Sequence, residues 1–262
     1  MKKIIGFLIV LALLPAVFMV GCNSSASVPS GPGGTVGPTS TPTITRTPTT
    51  TPTPQTAQLP VNLNSAASFV VLAYTSITNS GPTTLCGDLG LYPGSSVTGA
   101  PAVVCGGVYH VTDTAASNAK GDLTIAYNDA AGRTTPALVA GNLGGKTLYR
   151  GLYKSTSGLA ISSGDLTLDA QGDPNAVFIF QIASTLITSS GRKVILSGGA
   201  KATNVFWQVG SYCALGTTSS FKGTIMAHAQ VTLNTGAVLE GRAFSQIAQV
   251  TMLSNAITKP AP

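Results

Sequence analysis

The chain has 262 residues, of which 44% are hydrophobic and only 8% charged, with a formal net charge of +6. An average soluble domain is about 25% charged, so most of the polar surface here must be Thr, Ser, Asn, Gln and backbone. The basic residues are scattered, with Arg192-Lys193 the one adjacent pair after the N-terminus and few aromatics between them, a pattern that excludes a nucleic-acid footprint.

The N-terminus reads as an address. Lys2 and Lys3 precede an apolar run, Ile4 to Val20, interrupted by Pro15, which fits an export signal better than a membrane span. It ends at Met19-Val20-Gly21-Cys22, which resembles a bacterial lipobox. Residues 1–22 are then a lipoprotein-type signal, with Cys22 acylated and anchoring the chain to the membrane. An ordinary secretory signal with an incidental cysteine is the alternative. Removing Lys2 and Lys3 leaves a charge of +4 (14 minus 2 basic, less 8 acidic). From residue 23 to 60, Ser, Thr, Pro and Gly dominate, centred on residues 39–54. So little apolar surface cannot offset the entropy of ordering, which predicts a semi-extended tether. Residues 61–259 are expected to form a single domain.

That domain opens with alternating residues in Phe69 to Ile77, which read as strand, before the turn Asn79-Ser-Gly-Pro82. Cys86 and Cys105 follow. In an exported chain they are best read as a disulfide closing a terminal loop. Cys213 remains as a buried thiol behaving as a small hydrophobe. The lack of CxxC or a Cys/His cluster argues against a metal. Between Val111 and Ala131 the period changes: Ala115, Ala119, Leu123, Ala126, Tyr127 and Ala130 line one helical face. Thr112 or Asp113 can cap its start and Gly132 can end it. Gly121, being small, would allow close approach to a flat surface.

Downstream the sequence repeats itself. Leu215-Gly-Thr-Thr-Ser-Ser-Phe-Lys-Gly223 recurs as Leu233-Asn-Thr-Gly-Ala-Val-Leu-Glu-Gly241, a shift of 18 residues. Val231-Thr-Leu233 is echoed by Val250-Thr-Met252, and Phe180-Gln-Ile182 by Trp207-Gln-Val209. The same template fits Leu91 to Gly99 upstream. A unit of about 20 residues cannot bury a core alone, so it must be one rung of a solenoid. Three short strands per rung give a mainly β fold, a triangular parallel β-helix with one long α-helix alongside.

Several stretches then carry a family resemblance: Asn64-Ser-Ala-Ala-Ser-Phe69, Cys86-Gly-Asp-Leu-Gly90, Leu123 to Arg133, Asp165 to Phe180, Asn204 to Gly210 and Val231 to Gly236. In order and spacing the chain resembles the microbial ice-binding proteins, over residues 61 to 258. The resemblance implies a right-handed solenoid whose coils are out of sequence order, and one flat face that binds ice. It implies no cofactor and a monomer whose partner is the ice crystal. Family faces carry a Thr-Ala/Gly-x-Thr/Asn motif. The matching segments are Thr188-Ser189-Ser190-Gly191, Thr217-Thr218-Ser219-Ser220 and Thr235-Gly236-Ala237-Val238, which keep the leading Thr but close on Gly, Ser or Val.

Two rival readings stand beside this one. Parallel β-helices include polysaccharide lyases and hydrolases, which need clustered carboxylates. The eight acids here are dispersed, and neither His110 nor His228 lies in a recognised catalytic motif, so no catalytic residue is assigned. A surface adhesin or glycan-binding module on the same scaffold fits the tether equally well.

Overall fold

The computed structural model describes residues 55–261. The export signal, Cys22 and most of the tether fall outside that range. Short strands pair in parallel into sheets of 12, 8 and 3 strands. Two long strands, Ser220–Ala227 and Val238–Ser245, bend from one side of the stack to the next. The outcome is the expected triangular solenoid, with three faces.

Coil order is not chain order. Along the eight-stranded sheet the strands run Ser96–Thr98, Ser76–Ser80, Val250–Leu253, Val231–Leu233, Cys213–Leu215, Leu186–Thr188, Leu159–Ile161, Gly141–Asn142. The first two coils therefore sit against the last one. Helix α1 (Thr114–Gly132) then carries the chain back to the far end of the stack. Its 19 residues span about 28 Å. The sheet it crosses, from Asp88–Leu91 to Phe178–Ile182, is about 24 Å wide at ~4.8 Å per strand. The helix is as long as the trip requires.

Register confirms most of the repeat: Leu215 lies beside Leu233, Gly223 beside Gly241, Val231 beside Val250 and Phe180 beside Trp207. The upstream copy is different. Leu91 ends a strand beside Ala73 under the helix, whereas Leu215 lies in the eight-stranded sheet. Its Gly differs in place as well: Gly99 follows the strand Ser96–Thr98, whereas Gly223 lies within Ser220–Ala227.

Alternation divides each strand between two environments. Inward side chains form one continuous core, including a ladder in which Tyr153, Phe180 and Trp207 stack with centroids 5.2 and 4.0 Å apart and Phe221 tilts against Trp207. Trp207 Nε1 donates to Lys222 O at 3.0 Å, so its one polar atom is satisfied. Cys213 lies in this core, where burial pushes its thiol pKa up. A second core forms between sheet and helix, where Leu72, Leu152, Ile179, Phe206, Met226 and Phe244 meet Ala119, Leu123, Ala126 and Ala130.

Polar groups fix the helix in place. Asp113 is the N-cap, its carboxylate accepting from Ala116 N at 2.8 Å. At the other end Gln181 Nε2 donates to the carbonyls of Ala130, Ala131 and Arg133, satisfying orphan acceptors of the last turn. Arg242 donates to Ala67 O and Thr224 Oγ1, tying the 3-10 turn Asn64–Ser68 to the stack. The Gln55 side chain accepts from Ala137 N, and Arg133 donates to Leu59 O and Pro60 O. Gly121 faces solvent, and a Cβ there would meet nothing within 4 Å, so it permits no close approach. The buried position on that turn is Lys120.

Lys120 is 8% exposed, and burial pulls its amine down to a pKa of about 7. Nζ donates to Ser245 O and Gln246 O at 2.5 and 2.9 Å and lies over the Tyr74 ring. A depressed folded-state pKa means the unfolded chain binds more protons between pH 7 and about 10. Stability should therefore rise with pH across that window, by at most about 1.4 kcal/mol per pH unit. Urea unfolding at pH 7 and pH 10 should show this rise, and Lys120→Met should flatten it. An equal rise in the variant would assign the slope to other groups.

Candidate functional site

The three faces differ in what they present. The first is covered: its outward side chains are buried beneath α1. The third is charged. Across its middle Lys222 Nζ contacts Glu240 Oε2 at 2.6 Å, and beside them Lys193 is exposed while Arg192 reaches Asp165 at 3.5 Å. The remaining face is the eight-stranded sheet. None of its strands contains a charged residue.

Two outward ranks cross that open sheet. The central one is Thr98, Thr78, Thr251, Thr232, Ala214, Ile187, Ala160 and Asn142, each in register with the next. Two residues earlier, on the strand or just before it, six of the eight coils contribute to a second rank: Ser96, Ser76, Gln249, Gln230, Tyr212 and Thr185. Gln230 Nε2 donates to Thr232 Oγ1 at 2.7 Å, and Ser76 Oγ to Gln249 Oε1 at 3.4 Å. The inward neighbours Ile77, Val250, Met252, Val231 and Leu233 are fully buried, which locks the outward side chains in place. β-Branched Thr is stiff at χ1, so its methyl and hydroxyl are held at a fixed height on a ~4.8 Å grid.

The Thr/Ser segments singled out in the sequence lie elsewhere. Thr188 (2% exposed), Ser219 (0%) and Ala237 (0%) face the interior and cannot touch a surface ligand. Ser190, Thr217, Thr218 and Thr235 are exposed, but on the corner between the open and charged faces, with Ser189 and Gly236 beside them. Ser220 lies on the charged face, bridged to Lys193. The corner is itself a stacked ladder: Gly191 N donates to Thr217 O, Thr218 N to Thr235 O and Gly236 N to Leu253 O. Gly191, Thr218, Gly236 and Ser254 share left-handed φ angles of 70, 55, 70 and 52°. The recurring Thr-Gly pattern is thus the requirement of a tight corner. The ranks that sequence reasoning missed had a visible signal: Ile77-Thr-Asn79, Val97-Thr-Gly99, Val231-Thr-Leu233 and Val250-Thr-Met252 all place Thr after a β-branched apolar residue.

Other reactive-looking groups have structural partners. His110 Nδ1 lies 2.7 Å from Asp113 Oδ2, a carboxylate already capping α1, so the histidine braces the helix entry. That cap and the neighbouring His110 hold the Asp113 carboxyl below its ordinary pKa. Arg150 and Asp173 pair at 2.6 Å. Among the described residues no three of His, Cys, Asp and Glu are grouped to hold a metal. Cys86 and Cys105 form the expected disulfide, which closes the outermost coil.

A family model described as Ice-binding-like matches residues 71–258. An ice-binding protein from Nostoc sp. (strain HG1) is 41% identical over 198 residues, 75% of this chain and 73% of that one. Another, from Flavobacterium frigoris (strain PS1), is 39% identical over 218 residues, covering 76% of each. The crystal structure of an ice-binding protein from an Antarctic biological consortium superposes with a TM-score of 0.77 at 52% identity, covering 80% of this chain and 96% of that one.

Proposed function

Because this chain belongs to the Ice-binding-like family, we propose that it adsorbs to ice crystals through the open eight-stranded sheet, without a cofactor and as a single chain. The observation that carries the choice of face is the rank Thr98, Thr78, Thr251, Thr232: four side chains of one shape, in register, on a face whose strands carry no charge.

Chemistry follows from that geometry. A charged group binds water tightly in its own orientation, whereas a hydroxyl offers one donor and two acceptor lone pairs. Spaced hydroxyls separated by methyl groups can hold first-layer water in ordered positions. Such water joins a growing lattice with little rearrangement. Each contact is weak, but all must break together for release, so a rigid array leaves the crystal slowly. Ice between adsorbed molecules must then grow with a curved front, which costs surface energy and arrests growth.

From residues 1–60 we infer a location for this activity. Acylation of Cys22 would tether the domain to the bacterial membrane through a Ser/Thr/Pro-rich spacer, fixing the cell to ice or shielding its surroundings from recrystallisation. Globomycin, which blocks lipoprotein signal cleavage, should shift the protein to its precursor size. Unchanged processing would indicate simple secretion.

The test of face and function is ice recrystallisation by purified full-length protein beside a Thr78→Tyr/Thr251→Tyr variant. Wild type should arrest grain growth, and the variant, with unchanged melting, should lose that effect. An active variant would move the site off this sheet. An inactive, folded wild type would end the ice reading and favour an adhesin.

A further inference from the structure

The open sheet changes character half-way along. Over four consecutive coils the central rank is Thr98, Thr78, Thr251, Thr232, and its companions are Ser96, Ser76, Gln249 and Gln230. Beyond Thr232 the central rank becomes Ala214, Ile187, Ala160 and Asn142, and the companion rank brings Tyr212, which is 44% exposed. In the first half the central rank is uniform in height and all hydroxyl, flanked by two Ser and by two Gln whose amide groups bond to Thr232 and Ser76. In the second, Ala sits below Thr while Ile187 and Tyr212 rise above it, and the polar groups are reduced to Thr185, Asn142 and the hydroxyl at the tip of Tyr212.

A crystal plane cannot bend to follow such steps. Van der Waals contact is largely forfeited over a gap of 0.5–1 Å (about a quarter to a half of the well), so a protruding Ile or Tyr lifts the lattice off its shorter neighbours. Resting on the ice-adsorption reading above, we propose that contact with ice is confined to the four coils bearing Thr98, Thr78, Thr251 and Thr232, and that Ala214, Ile187 and Ala160 mark where the contact stops. The contacting patch straddles the seam at which Thr78, from the first coil, meets Thr251, from the last. It therefore exists only when the two ends of the domain are docked. Hydrogen bonds across that seam maintain it: Asn255 N donates to Thr83 Oγ1 at 3.0 Å and Ser254 N to Ser80 O at 2.9 Å.

The division can be tested by loss and by gain on the full-length protein. Three variants are compared with wild type for the lowest concentration that arrests recrystallisation, with melting curves as a check on folding: Thr251→Tyr, Ile187→Tyr, and the triple Ala214→Thr/Ile187→Thr/Ala160→Thr. All these side chains point outward, so folding should survive. Thr251→Tyr should raise the required concentration at least about tenfold, Ile187→Tyr should change it less than about twofold, and the triple should lower it at least about twofold. Equal losses from the two Tyr variants, or a triple with no gain, would overturn the division while leaving ice adsorption intact. An inactive wild type would instead sink the ice-adsorption reading itself.

Discussion

Gly241→Ala should unfold the domain or leave it barely stable, with a loss above about 4 kcal/mol. The new Cβ would lie 1.9 Å from the carbonyl oxygen and 2.7 Å from the carbonyl carbon of Gly223, its register partner one coil away. Both contacts are backbone, so no rotamer change can relieve them. The two glycines sit where the long strands Ser220–Ala227 and Val238–Ser245 bend from the charged face to the helix-covered one. Separating the coils there would break hydrogen bonds on both faces at once. Soluble yield and thermal melting would measure the effect. A variant melting within a few degrees of wild type would show that the coils can part at this corner, and that the bend is not the tight point of the fold.

Trp207→Ala is the second large effect, at about 3–5 kcal/mol. Trp207 is fully buried, stacked on Phe180 at 4.0 Å and tilted against Phe221 at 5.0 Å. Truncation removes the middle of the aromatic ladder and leaves Lys222 O without its indole donor. For a domain of this size each kcal/mol shifts Tm by about 2–4 °C, so melting should fall by roughly 6–20 °C. Trp207→Phe, which keeps a stacked ring but loses the indole donor and part of the buried ring volume, should recover more than half of the loss. If it recovers none, the indole hydrogen bond outweighs the packing. Ice activity per folded molecule should not change in either variant, since the ladder lies behind the helix-covered and charged faces.

The sequence disclosed the parts of this fold that depend on local pattern. An 18-residue repeat could only be a rung, the Ala-rich stretch ending at Gly132 could only pack closely as a helix, and Cys86 and Cys105 bracketed one coil. Coil order was different. No local feature of Ser76–Ser80 says that its neighbour is Val250–Leu253 rather than the next segment of chain, because parallel coils satisfy one another's backbone equally well in many orders. Only the family resemblance supplied that. The placement of the Thr/Ser segments on a flat face met a related limit. Thr218 and Thr235 look like Thr78 and Thr251 in composition, yet the first two turn a corner and the others lie on a plane. Telling them apart requires knowing where each strand ends, and short strands of three residues leave that boundary ambiguous. Lys120 was equally hidden, since a lysine on a helix reads as solvated until the helix is laid against its sheet.

The out-of-order stacking also bears on when the protein can become itself. The first coils of the domain to leave the ribosome, Phe69–Ala73 and Ser76–Ser80, find a neighbour in Gly241–Ser245 and Val250–Leu253, in the last coils of the domain to be made. Until the final coil exists they pair on one edge with Asp88–Leu91 and Ser96–Thr98 and present a bare edge on the other. Contacts of such long sequence separation form slowly. A domain that cannot close until Val250–Leu253 has been made must stay open through most of its synthesis, and is ill suited to lingering half-made. Assembly is thus completed by its earliest residues, which wait for the latest to arrive.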